Sequence, residues 1–427
     1  MKVFRGEGMD ILHIEGGEKL YGECEISSAK NSLLPILAGS IMCNGTVVIN
    51  KCAYYTDVDY MIKILASLGA EVEKSDALYL NLRDANKFFV DEIYTKKVRS
   101  SIFMLGPLLS RFKQAKVAYP GGCNIGVRPI DLHLKGLREL NVKIEEKHGY
   151  IVCDGKNMKA GNIHLDFPSV GATENLVMAS VLLKGRTTIN NAAREPEIVD
   201  LQNFLNAMGA RVGGAGTATI VVEGVEKLKS VVYTPIPDRI ITGTYVLACA
   251  IAGGNVYLKN TNFEHNTALF SKLKQVGLKL SYKNGTLKVS CSGKLKSIPK
   301  IETQPYPGFA TDLQSQVLAL QSVSRGTSVI CENLFETRYK MCNELIKMGA
   351  DITLKDKMAI VKGVPKLYGA NVVACDLRGG AGLVLAGLCA DGYTTIEEAK
   401  HIDRGYYKIE NDLSKLGARI TRMDKML

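Results

Sequence analysis

The chain lacks an apolar run long enough to cross a bilayer. Its longest mostly apolar stretches, at 244–253 and 382–390, hold about ten residues each, against roughly 18 for a spanning helix. A secretory signal is also missing, because MKVFRGEGMDILHIEGG carries acids and a glycine pair where such a signal needs a continuous apolar segment. A cytoplasmic protein without membrane insertion is expected. Histidine is scarce, at six residues, and neither His133 nor His401 has a partner at ligand spacing, so no metal is expected. The eleven cysteines are odd in number and form no CxxC pair. Cys249 in TYVLACAIAGG and Cys389 in LVLAGLCA sit in apolar segments where a thiol acts as a small hydrophobe. Disulfides and structural zinc are therefore not expected. There is no Walker A segment, and Gly213-Gly214-Ala215-Gly216 lacks the GxGxxG spacing of a dinucleotide loop.

What is present is an excess of positive charge: 54 Lys and Arg against 43 Asp and Glu, a net of +11. The basic residues are spread along the chain and accompany no zinc-finger spacing, arginine tail or RNP-like run. This favours anionic ligands and gives only weak support for nucleic acid, which is not expected as a partner. With 46% apolar and 23% charged residues, global disorder is excluded. A length of 427 residues corresponds to two or three domains at about 150 residues each.

A short pattern recurs six times, an apolar helix end followed by a turn and a β-like run. It begins at Leu68, Leu140, Met208, Val276, Met348 and Leu416, in steps of 68 or 72 residues, and copies one to three are offset from copies four to six by 208 in every case. Two halves of three units each follow, giving a duplicated α/β protein. Before the pattern, DYMIKILASLGA places Met61, Ile62, Ile64, Leu65 and Leu68 on one helical stripe. The glycine after it suits a left-handed cap, and EVEKSDALYLNL alternates as strands do. Helices such as LVLAGLCA are apolar over much of their surface and are expected inside a domain. The turn-rich stretch TPIPDR at 234–239 marks the midpoint. The expected boundaries are 23–235 and 236–427, with residues 1–22 returning to the C-terminal domain.

The segment 119–133, YPGGCNIGVRPIDLH, is too polar and kinked for a core element and reads as a ligand-facing loop. Its Cys123 can act as a nucleophilic thiolate or hand on a proton as a thiol, or be an incidental exposed thiol. Arg128, beside Pro129, can be a positioned anion fork or a solvated surface charge. Lys30 and Asn31 open an apolar helix, where free backbone N–H groups make an anion site; a surface lysine is the plainer reading. Arg99, Arg338, Arg378 and Arg404 each interrupt a pattern that does not call for charge. They are either helix-end and salt-bridge residues or parts of a site for a multiply charged substrate. Asp312 after the YPGFAT turn can cap a helix or act on a hydroxyl.

The loop PGGCNIGVRPIDLH resembles that of the UDP-N-acetylglucosamine 1-carboxyvinyltransferase family of enolpyruvyl transferases. So do SAKN at 28–31, SVGATEN at 169–175, NAAREPEIVDL at 191–201, PDRI at 237–240, PGFATDLQ at 307–314, DLR at 376–378 and HIDRGY at 401–406, in the family's order. The resemblance implies an α/β fold of two inside-out α/β barrels, each built from three repeat units with buried helices and outer sheets, and an intervening cleft for substrates. It implies transfer of the enolpyruvyl group of phosphoenolpyruvate to the 3-hydroxyl of UDP-N-acetylglucosamine by addition and elimination. Phosphoenolpyruvate is then a co-substrate, and no cofactor is implied.

By the same resemblance, Cys123 is the proton donor and the target of fosfomycin, and Asp312 serves the sugar hydroxyl. Lys30, Arg128 and Arg404 clamp phosphate and carboxylate, with Arg99, Arg338 and Arg378 supporting. Asn31 faces the sugar, and Arg128, Pro129, Ile130, Asp131 and Leu132 hold the uridine part. Ser169, Val170, Gly171 and Leu334 complete the substrate-binding set. The chain departs from the commoner family residues at Ser28, Ala310 and Ile241. The related 5-enolpyruvylshikimate-3-phosphate synthases lack the cysteine loop. A catalytically retired regulator that binds UDP-sugar is the alternative of a different class; oligomeric state is not legible.

Overall fold

The computed structural model describes residues 10–121, 130–335 and 337–424. These divide into two compact units, one made of 10–26 and 237–424, the other of 27–121 and 130–236. Cys123, Arg128 and Pro129 lie outside the described residues.

Each unit is inside-out, as the family resemblance implied, with the apolar helices buried as their composition led us to expect. In the first unit, Arg239–Ala252, Gln314–Gln321 and Leu377–Cys389 pack on one another. Leu377–Cys389 is buried all round from Arg378 to Leu388, so it cannot be a surface helix with one apolar stripe. A Cβ on its Gly382 would lie 2.9 Å from the Ser315 carbonyl and 2.7 Å from Met341 Cε; glycine lets these backbones approach. In the second unit Val170–Ser180 packs on Leu105–Phe112 and on Lys30–Ser40. Buried hydroxyls in these helices donate to the carbonyl one turn back, as Ser40 does to Ile36 and Ser180 to Leu176, both at 2.8 Å.

Among the described residues, six four-stranded sheets form the outer layer. Their strands alternate, as in Thr286–Cys291 and Thr46–Asn50, with one face buried and the other partly exposed. Each sheet has one plan. Lys300–Glu302 runs parallel to Thr327–Cys331, which pairs antiparallel with Met358–Lys362, itself antiparallel to Asp351–Lys355. Leu20–Glu25, early in the chain, pairs with Gly254–Lys259 of the first unit, and Val231–Tyr233 pairs with Thr46–Asn50 of the second. Asp10–Glu15 enters the last sheet between Tyr393–Glu397 and Arg419–Asp424.

The six copies of the sequence pattern are helix caps of one kind. Gly69, Gly209, Gly277, Gly349 and Gly417 all have φ between 92° and 109°, and Asn141 takes the same place at 63°. The residue after each donates to the carbonyl five back, as Ala70 to Leu65, Val142 to Leu137 and Ala418 to Leu413, which closes a Schellman motif. Asn141 is tolerated because its Nδ2 donates to Asn157 O at 2.8 Å. No described helix is long and apolar enough to cross a membrane. Gly209 has open space where a Cβ would go, so Gly209→Ala isolates the backbone term: it should destabilise by about 1 kcal/mol in urea unfolding. Gly69→Ala, whose Cβ would meet Asp84 O at 3.0 Å, should cost more.

Candidate active site

In the first unit the functional side chains collect at the N-terminal ends of the inner helices. Asp312 sits in the 3₁₀ turn Thr311–Leu313 that leads into Gln314–Gln321, and makes no cap. Its Oδ1 accepts from Arg338 Nη2 and its Oδ2 from Arg378 Nη2, both at 2.8 Å. Both arginines are buried, at 1% and 2% exposure. Among the described residues their Nε and Nη1 atoms have no hydrogen-bond partner, so the compensation of both cations rests heavily on Asp312. Aromatic faces add to it, Phe335 at 5.1 Å from the Arg338 guanidinium and Tyr406 at 5.5 Å from that of Arg378. Burial pulls the Arg378 pKa down, but Asp312, Tyr406 and Asp238 outweigh it and hold the net value well above the ordinary one.

Two groups not foreseen from the sequence shape this arrangement. Tyr406 is fully buried, and its hydroxyl is bonded to Thr244 Oγ1 at 2.8 Å and Gln316 Nε2 at 2.9 Å. Glu332 is also buried. Its Oε2 accepts from Thr311 at 2.8 Å and its Oε1 from Thr303 at 2.9 Å and from the Leu334 and Phe335 N–H groups at 2.9 and 3.1 Å. One carboxylate thus ties the turn of Asp312 to the loop leading to Arg338 and places Leu334. Arg404 ends the 3₁₀ segment Ala399–Arg404 and is half-buried. Asp376 caps the helix carrying Arg378 by accepting from the Arg378 and Gly379 N–H groups at 2.8 and 3.0 Å.

In the second unit Lys30 is buried at the start of Lys30–Ser40, with Nζ 3.0 Å from Asp57 Oδ2. Asp57, in the first turn of Thr56–Ser67, gave no sequence signal beyond an acid at a helix start. The unusual Ser28 is put to use here. Its Oγ donates to Lys51 O at 2.8 Å and accepts from Ala53 N at 3.1 Å, while its carbonyl accepts from Tyr55 O–H at 2.9 Å. These bonds join the start of the Lys30 helix to the segment bearing Asp57. Asn31 is half-buried beside Lys30. Of the other departures, Ile241 is buried, and Ala310 has φ −64°, a value a proline also adopts.

Arg99 opens the 3₁₀ segment Arg99–Met104. His133 is buried close by, and its pKa is pushed down to about 4, by burial first and by the Arg99 charge second. Asn175 Oδ1 accepts from Gly106 N at 2.7 Å, which turns Nδ2 toward Ile102 O at 2.8 Å and His133 Nδ1 at 2.9 Å. His133 Nδ1 is therefore an acceptor and the ring is neutral. Ile130 and Leu132 are half-buried and Asp131 is exposed at the head of Asp131–Glu139. Ser169 caps Val170–Ser180 through Ala172 N, and a Cβ on Gly171 would lie 3.1 Å from His133 Cε1. Glu174 on that helix is buried, and burial, then Glu197 and Glu195, raise its pKa well above the carboxylate range. SVGATEN and NAAREPEIVDL are thus neighbours. The ten described cysteines are free, and burial pushes Cys24, Cys52, Cys153, Cys249, Cys342 and Cys389 up to about 12, which makes them inert.

Two outcomes are expected from this geometry. Asp312→Asn removes the carboxylate charge that pairs with both buried guanidinium groups and should lower unfolding stability by about 3 kcal/mol, measured in urea. His133 is kept neutral by the fold, so its stabilisation is complete above pH 6.5 and is lost as pH falls through about 4. His133→Gln should remove up to about 3 kcal/mol of acid sensitivity across that window; equal slopes for both proteins would contradict the assignment.

The EPSP synthase (3-phosphoshikimate 1-carboxyvinyltransferase) family model matches residues 14–413. UDP-N-acetylglucosamine 1-carboxyvinyltransferase 2 of Caldanaerobacter subterraneus subsp. tengcongensis is 50% identical over 97% of this chain and 100% of its own. The UDP-N-acetylglucosamine 1-carboxyvinyltransferase of Geobacter metallireducens is 46% identical, with 97% and 100% covered. Among solved structures, the enolpyruvyl transferase NikO of Streptomyces tendae has the same fold, with a TM-score of 0.87 at 22% identity over 98% of this chain and 100% of NikO. EPSP synthase of Acinetobacter baumannii matches with a TM-score of 0.77 at 18% identity, covering 97% of this chain and 100% of its own. The chain belongs to the UDP-N-acetylglucosamine 1-carboxyvinyltransferase family of enolpyruvyl transferases.

Proposed function

We propose that this protein transfers the enolpyruvyl group of phosphoenolpyruvate to the 3-hydroxyl of UDP-N-acetylglucosamine, releasing inorganic phosphate. As a cytoplasmic enzyme it would carry out the first committed step of peptidoglycan precursor synthesis. The observation that carries this reading is the 50% identity to a full-length relative of that name. Phosphoenolpyruvate enters as a co-substrate, and we assign no resident cofactor.

The chemistry asks for two things. The sugar oxygen bonds to C2 while its own proton leaves and C3 gains a proton to become a methyl group. The bond from C2 to the phosphate oxygen then breaks, a proton leaves C3, and the double bond returns. Cys123 supplies the proton to C3. Asp312 receives the hydroxyl proton, and its geometry supports that role: each oxygen accepts one guanidinium N–H, which fixes the carboxylate in place. Arg338 and Arg378 hold the carboxylate in one orientation. Lys30, Arg128 and Arg404 take the phosphate and carboxylate, and Arg99 adds positive charge. Asn31 and Leu334 contact the sugar side, Arg128, Pro129, Ile130, Asp131 and Leu132 the uridine side, and Ser169, Val170 and Gly171 complete the nucleotide contacts. A multiply anionic transition state explains why cations are gathered in both units.

Purified protein should release phosphate from phosphoenolpyruvate with UDP-N-acetylglucosamine and not with shikimate 3-phosphate, and Cys123→Ala should lose at least about 100-fold in kcat. Silence with both acceptors, in folded protein that still binds the UDP-sugar, would reject the reaction and favour a regulator.

A further inference from the structure

We propose that Arg422 is a positioning residue for Arg404, acting through Asp403, with Tyr406 as a second anchor on the other side. The inference rests on the proposed role of Arg404 in holding phosphoenolpyruvate.

Arg422 lies on the last strand, Arg419–Asp424, and uses every donor of its guanidinium. Nη1 and Nη2 fork onto Asp403 at 3.0 and 2.7 Å, Nε and Nη2 fork onto Glu410 at 3.0 and 3.1 Å, and Nη1 reaches Asp10 at 2.8 Å. Five N–H groups meet three carboxylates, a pattern that only the planar arginine fork can make. Those carboxylates come from the 3₁₀ segment Ala399–Arg404, the helix Ile409–Lys415 and the strand Asp10–Glu15. Without the cation, three negative groups would repel one another at a half-buried point. Apolar residues would hold strand and helix together equally well, but they would not fix the direction of the turn.

On the far side, Tyr406 is locked by Thr244 and Gln316, and its ring faces the Arg378 guanidinium that holds Asp312. The backbone between is closed by the Gly405 and Tyr406 N–H groups donating to Ile402 O at 2.9 and 3.0 Å. Arg404 is therefore displayed between two fixed neighbours, and its turn is linked to the Asp312 clamp through Tyr406. A small error in its placement would reach the substrate that it holds, and leave the acceptor sugar's affinity alone.

The test is steady-state phosphate release by the full-length protein, titrating phosphoenolpyruvate and UDP-N-acetylglucosamine separately. Arg422→Met and Asp403→Asn should each raise KM for phosphoenolpyruvate about tenfold, with KM for UDP-N-acetylglucosamine within about twofold of wild type. Arg422→Lys keeps the charge without the fork and should not rescue. Arg419→Gln, on the same strand as Arg422, loses only exposed pairs to Glu15 and Glu18 and should behave as wild type. In an Arg404→Ala background the Asp403→Asn change should add nothing, because the group it positions is gone. Asp403→Asn is nearly isosteric and leaves Arg422 its bonds to Glu410 and Asp10, so it carries the test if Arg422→Met does not fold. Unchanged phosphoenolpyruvate kinetics in folded variants, equal shifts for both substrates, or losses that multiply with Arg404→Ala would overturn the proposal. A wild-type protein silent with either acceptor would instead reject the reaction itself.

Discussion

Cations stand at the N-terminal ends of buried helices in both units, where the helix dipole is also positive, and each is offset by a carboxylate from elsewhere in the chain. Lys30 begins one inner helix and is held by Asp57; Arg378 begins another and is held by Asp312, with Asp376 capping the same turn. The arrangement is costly as plain structure. Like charges gathered at a helix start, with backbone N–H groups pointing outward, make a place for anions. Much of the surrounding polar detail keeps these pairs aligned: Ser28 braces the Lys30 helix, Glu332 joins the Asp312 turn to the loop before Arg338, and Tyr406 backs Arg378.

The inside-out architecture makes this placement possible. A helix buried on all sides has a fixed axis and only its ends available for polar work, so functional groups are concentrated at those ends. The outer sheets bury one face and supply the hydrophobic closure. The first unit draws on both ends of the described chain, because Asp10–Glu15 and Leu20–Glu25 pair into its sheets, whereas Val231–Tyr233 pairs with Thr46–Asn50 and keeps the second unit within 27–236.

Much of the fold was legible because its rules are local. The Gly-Ala pattern marks left-handed caps, and Asn141 shows the logic from the opposite side, since the residue type changed and the conformation remained. Helices apolar over much of their surface pointed to burial inside a domain, because a surface helix keeps a polar face, and the inside-out arrangement was implied by the family resemblance. For the site, unusual charges were readable as candidates, and Arg338, Arg378 and Asp312 do converge. Their partners were less readable. Asp57, Glu332, Asp403 and Arg422 sit in sequence contexts where an acid or a base is ordinary, and nothing in the local pattern separates them from surface residues.

The sequence by itself determined the six-fold repetition, the class of fold, the family and the pool of charged residues available for chemistry. These follow from periodicity, turn chemistry and motifs that neighbouring residues specify. Only the tertiary structure decided which charges meet. Asp312 takes its two guanidinium partners from 26 and 66 residues along the chain, and Arg422 reaches Asp10 across 412. Such pairs depend on how three helices pack and which strands share a sheet, and burial then decides whether a charged residue is a solvated face or part of a fixed array.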